Sequence, residues 1–90
     1  MDTNNENVKQ IPVIIRSVGK ACDVVIPDFN ITVHGKDFIE AFATAASTVA
    51  AIYYYNLDRN VEIQLNTTYA EVERKCSAKN EFPTFLPLNP

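Results

Sequence analysis

The stretch from Ala21 to Asn56, ACDVVIPDFNITVHGKDFIEAFATAASTVAAIYYYN, decides the fold, because it reads as strand, turn, strand, turn and one alanine-rich helix. Val and Ile dominate Ala21–Ile26, a strand pattern that stops at Pro27-Asp28. Within it Cys22, Val24 and Ile26 point one way and Asp23 and Val25 the other, so one face is dry and the other half-wet. A short extended piece follows over Ile31–His34, and Gly35-Lys36-Asp37 turns the chain into the helix. Asp37 is a good N-cap, and Glu40 three residues later completes a capping-box-like pattern. The helix is predicted over Phe38–Tyr55, with Phe38, Ala41, Phe42, Ala45, Val49 and Ile52 on the sheet-facing side. Six alanines between 41 and 51 keep side chains short and permit a close helix-to-sheet approach. With Phe42 buried in that contact, its truncation to Ala costs about 3 to 5 kcal/mol.

Working outward, Ile11–Ser17 is rich in Ile and Val, and Pro12 is tolerable at a strand entry. Val18-Gly19-Lys20 joins it to Ala21, with Gly19 free to take positive φ, so the two strands are predicted to form an antiparallel hairpin. Residues 1–10, MDTNNENVKQ, read as a flexible lead-in without the basic-then-apolar order of a secretory signal, which predicts a cytoplasmic protein. Downstream, Val61–Leu65 alternates as a short strand does. Thr68 with Glu71 three residues later opens a second brief helix over Tyr69–Cys76, anchored by Tyr69 and Val72.

The segment EFPTFLPL, residues 81–88, is apolar enough for a final strand, but Pro83 and Pro87 cannot donate to a ladder. Residues 83, 85 and 87 direct their backbone to one lateral side, so both missing donors fall along a single border. That suits an edge strand, with the opposite border pairing with the first strand. The sum is an α+β fold: a small antiparallel sheet of three strands plus a C-terminal edge strand, packed on one main helix, with a second short helix. A single domain is predicted over 11–90.

Composition narrows the function. At 90 residues the chain makes one domain with a small core. Its longest apolar run is broken by Thr44, Ser47 and Thr48, so no membrane span is expected. A net charge of −3 argues against a broad phosphate-binding surface, so direct nucleic-acid binding is not expected. Cys22 and Cys76 are expected as free thiols. With one histidine, His34, and no closely spaced cysteine pair, neither a metal site nor a cofactor is expected. Tyr53, Tyr54 and Tyr55 lie about 100° apart on a helix, so at least one faces solvent, which makes Tyr54 and Tyr55 candidate contacts.

The chain resembles the HicB family of bacterial toxin-antitoxin antitoxins. IPVIIRS looks like the family's first strand, and DVVIPDFNI like a second strand ending in Pro-Asp-Phe or Pro-Asp-Leu. His34-Gly35-Lys36-Asp37 looks like its polar-Gly-polar-Asp turn, FIEAFATA like its helix opening, and FPTFLPL like its last strand. The two prolines of that last strand depart from the family pattern.

The resemblance implies a degenerate RNase H-like domain of three strands, a helix and a further strand. It also implies a protein-binding role, neutralising a HicA-type toxin, a small basic mRNA interferase. An exposed tyrosine and the unpaired border of the last strand predict self-association as a homodimer or higher homo-oligomer, which the resemblance also suggests. Fuller family members add a C-terminal DNA-binding segment, and none is read before Pro90. Asp23, Asp28 and Asp37 raise the thought of a nuclease through that fold. Asp37 serves better as a helix cap and Asp28 as a turn former, so no enzyme is expected. The expected partner contacts are Asp28, Phe29, His34, Tyr54 and Tyr55. Charge reversal at Asp28 with Phe29→Ala is expected to weaken toxin binding without unfolding the domain. The alternative is a solitary structural or regulatory module of the same fold with no toxin partner.

Overall fold

A computed structural model describes residues 9–88. Four strands, β1 (Lys9–Val18), β2 (Ala21–Ile26), β3 (Ile31–Gly35) and β4 (Glu81–Leu88), accompany two helices, α1 (Phe38–Asp58) and α2 (Tyr69–Lys75). All strand pairs are antiparallel and the order across the sheet is β3-β2-β1-β4, so the last strand returns beside the first. The predicted α+β class, main helix and C-terminal edge strand all stand. Among the described residues no helix is long and apolar enough to cross a membrane.

β1 starts earlier than its sequence suggests. Lys9 and Gln10, read as lead-in, lie opposite Leu88 and Pro87 in the sheet, while the rest of that lead-in falls outside the described residues. At the other end Val18 pairs with Ala21 across the two-residue turn Gly19-Lys20. Gly19 alone takes positive φ there, 62°, which is the requirement of a type II′ hairpin turn.

Register sorts the side chains. Ile11, Val13, Ile15, Cys22, Val24, Ile26, Leu86 and Leu88 share the face beneath α1 and are all buried. On the opposite face Pro12 and Ile14 are buried as well, so β1 is dry on both sides from Ile11 through Ile15. A central strand covered on both faces reads as a continuous apolar run, which is why IPVII shows no alternation.

α1 covers the first face with Ala41, Ala45, Val49 and Tyr53, a row spaced four residues apart. Ile52 is half-buried beside that row and the spacing had placed it within it. Phe38, also expected inward, is 46% exposed and stacks on Phe42 with ring centroids 5.3 Å apart. Phe42 is itself only half-buried, so its truncation loses less than the full-core figure above. Lys9 Nζ donates to the hydroxyl of buried Tyr53 at 3.2 Å, giving that oxygen a partner. The helix outlasts Tyr55 by three residues because its stop lies at Asn60, left-handed at φ 62°. Asn60 N–H donates to Leu57 O and Val61 N–H to Asn56 O, a Schellman ending built on asparagine. At the start, Asp37 accepts from Glu40 N–H, and Glu40 reaches back to Lys36 N–H, so the reciprocal cap closes one residue early.

Val61–Leu65 is not a strand and joins no ladder. Ile63 and Leu65 pack against the core while their neighbours face water, so the alternation reports one dry side of an extended cover segment. α2 follows with the full Thr68–Glu71 capping box, and Cys76, expected as its last residue, is the C-cap. Val72 is fully buried and Tyr69 stacks on Phe85 at 4.9 Å, which seats α2 on the opposite face of the sheet over β1 and β4.

Gly35 sets the height of α1. A Cβ there meets the backbone of Ala41, 2.6 Å from its Cα, so glycine and alanine must face each other for helix and strand to approach this closely. Gly35→Ala is expected to destabilise by about 3 kcal/mol, since backbone rather than a rotatable side chain has to move. Gly19→Ala, where the space is open and only φ objects, is expected to lose about 1 kcal/mol. Urea unfolding midpoints of the two variants check the order; equal losses refute it.

Candidate functional site

The outer face of the sheet, away from α1, carries the polar groups the core excludes. Arg16 lies opposite Glu81 on one side and Asp23 on the other, and Asp23 lies opposite His34. One row of side chains therefore crosses all four strands. Arg16 Nε donates to Glu81 Oε2 at 3.2 Å, Arg16 Nη1 stands 3.7 Å from Asp23 Oδ2, and His34 Nδ1–H donates to Asp23 Oδ1 at 2.6 Å. Cross-strand register brings these groups within reach, each pair being adjacent on one pleat. Glu81 Oε1 also accepts from the Ser77 and Ala78 backbone N–H groups, tying the loop before β4 to the row. These donors, the Ala78 N–H foremost and the Arg16 side chain next, hold the Glu81 carboxyl below its ordinary value.

Beside the row, α2 covers only the β1 and β4 half of this face. The other half forms an open groove of about 320 Å³ lined by Ile14, Val25, Ile26, Pro27 and Ile31 together with Asn30, Thr32 and Lys75. Apolar floor, hydroxyl, amide and one ammonium suit docking of a polypeptide or small polar molecule. Among the described residues no three His, Cys, Asp or Glu side chains group as metal ligands. Cys22 is buried under α1 and Cys76 ends α2 on the far side of the sheet; both are free thiols, and burial pushes both upward in pKa.

The five expected contact residues do not form one patch. Asp28 lies in a one-turn 3-10 helix, Pro27–Phe29, that links β2 to β3 and ends at Asn30 in the left-handed region. Its Oδ1 accepts from Thr67 N–H at 2.9 Å and its Oδ2 is buried with no hydrogen-bond partner. Asp28 thus faces inward and pins the segment between the helices. Charge reversal there threatens the fold itself, contrary to the expectation that it leaves the domain intact. Phe29 is half-buried and packs on the core, as does Tyr54, which meets Tyr53 edge-on at 5.0 Å. Tyr55 is 60% exposed, its hydroxyl accepting from Arg59 at 2.9 Å. His34 alone belongs to the outer-face row. Arg16 and Glu81, 65 residues apart, were not singled out by sequence, because only the register joins them.

No family model, curated protein or solved structure matches the chain.

Two outcomes follow. Asp28→Ala, which removes the acceptor of Thr67 N–H, is expected to destabilise by about 1 to 3 kcal/mol and to speed amide exchange at Thr67; unchanged exchange there refutes the anchoring role. A carboxyl whose folded pKa is depressed stabilises above its unfolded value, and that contribution disappears as pH falls through the folded pKa. Glu81→Gln is therefore expected to lower stability at neutral pH and to flatten its decline in the acid range below the ordinary carboxylate value, measured by urea midpoints across pH. A mutant curve parallel to that of the unmodified chain refutes it.

Proposed function

We propose that this domain is an antitoxin-like protein of the HicB type, acting in the cytoplasm, which binds and neutralises a HicA-type mRNA interferase through protein contacts. The observation that carries the reading is the topology. Three consecutive antiparallel strands lead into one long helix, and a last strand returns beside the first, which is the arrangement the sequence resemblance implies. A net charge of −3 suits a small basic partner, since opposite charge speeds encounter and favours selection of that partner. The groove and the charged row on the outer face give it a surface free of α1 and only partly covered by α2. Self-association, as a homodimer or higher homo-oligomer, belongs to the same reading.

The second reading is a solitary structural or regulatory module with no toxin. The inward placement of Asp28 and the core packing of Phe29 and Tyr54 favour it, because three of the five expected contacts are engaged in holding the fold.

Co-expression with the neighbouring reading frame separates the two. Under the antitoxin reading the neighbour is a small basic protein that arrests growth alone, is rescued by this chain and co-purifies with it. Absence of both toxicity and complex refutes that reading and leaves the solitary module.

A further inference from the structure

We infer that the free border of β3 is a self-association site, at which two copies pair antiparallel about a two-fold axis through Val33 and join their sheets into one of eight strands. The two borders of the sheet differ in kind. Ser17 N–H donates to Asn80 O, so odd-numbered residues of β1 turn their backbone toward β4, and even-numbered residues of β4 turn theirs toward β1. The outward positions of β4 are then Glu81, Pro83, Phe85 and Pro87. Two have no N–H, and Glu81 N–H already donates to Ala78 O, which leaves Phe85 as the single free donor. That border, expected from the sequence to serve self-association, is closed to strand addition because its donors are missing or engaged.

The same parity carried through β2 sends the backbone of Thr32 and His34 outward from β3, and among the described residues nothing pairs with either N–H. β3 has no proline and no Lys, Arg, Asp or Glu, so it lacks the two side-chain devices that most often guard an exposed edge. The border is also self-complementary. Thr32 opposite His34 of a second copy exchanges both backbone hydrogen bonds, and the two-fold repeats them at the other end. Val33 lies opposite its own equivalent, and Ile31 lies opposite Gly35.

A five-residue strand is short of the roughly 800 Å² that a stable dimer buries on each partner. The adjoining first turn of α1 extends it, because Phe38 and Ile39, three and four residues beyond Gly35, are 46% and 78% exposed. One open border and one blocked border also explain why the occupant is a single second copy: an isologous pair uses up the competent edge and stops, whereas two open edges propagate. This inference stands without a toxin, so its test uses the full chain alone.

Sedimentation over a dilution series is expected to give a species of two chains, with the Thr32 and His34 amides protected from hydrogen exchange in proportion to dimer and unprotected on dilution. Thr32→Pro removes an outward donor and no inward one, and is expected to give a monomer with unchanged circular dichroism. Should that variant unfold, the exchange pattern of the unmodified chain decides. A monomer at every concentration, a dimer in which these two amides exchange freely, or protection that arises only with another protein overturns the proposal.

Discussion

The burial of β1 on both faces is the constraint from which the architecture follows. Five consecutive residues, Ile11 to Ile15, are withdrawn from water, and no two-layer arrangement with one wet sheet face can do that. One face is covered by α1, whose small residues let the helix come down on β3 at Gly35. The other is covered by the much shorter α2, seated by Val72 and by the stacking of Tyr69 on Phe85. β2 and β4 complete the ladder on either side of β1, and β3 is the only strand that does not touch that centre directly. The chain must therefore cross from one face to the other between the helices. The Asp28 to Thr67 hydrogen bond fastens that crossing to the β2–β3 connection.

Unequal cover leaves part of the outer face open. With seven residues α2 shields the β1 and β4 half of the outer face, leaving β2 and β3 beside a groove and below a row of charged groups. Asp23 and Glu81 are half-buried and only the His34 end of the row is exposed, so the row combines a fixed polar surface with a tie between strands. Two of its members have an additional anchor: Glu81 gathers the preceding loop, and Asp23 orients the His34 ring. A surface organised in this way presents donors and acceptors in set positions, which is what recognition of a partner needs.

Much of the fold was legible because the responsible interactions are local. The alternation of Ala21–Ile26 gave both ends of β2, Asp37 and Thr68 gave both helix starts, and the proline parity of Pro83 and Pro87 gave the edge position of β4. The failures share a cause: Val61–Leu65 has a strand's pattern without a strand's partner, Phe38 has a core residue's type at a helix start the sheet does not reach, and Lys9 is polar yet held by Leu88 and Tyr53. Each depends on what lies across space. The candidate site was less legible for the same reason. His34 was noticed as the sole histidine, but its role follows from Asp23, and the role of Asp23 from Arg16 on β1, relations set by register rather than spacing. Asn60 is different, since an asparagine that ends a helix in the left-handed region leaves a readable local signal.

Edge and face are chemically separable at β3, so the proposed self-association would leave the outer face to a second partner. Backbone pairing at the border engages the N–H and C=O of Thr32 and His34, whereas the His34 ring stays on the outer face in contact with Asp23. A two-fold through Val33 places the Thr32 of each copy beside the His34 of the other, so two grooves and two polar rows meet across the junction. Joining copies at this edge therefore enlarges the outer face instead of consuming it. In the proposed pair the blocked border of β4 prevents further addition, so the enlargement would stop at two copies. Net charge acts in the opposite direction, since two chains of −3 repel, and the weakly charged β3 border is where that repulsion is least local.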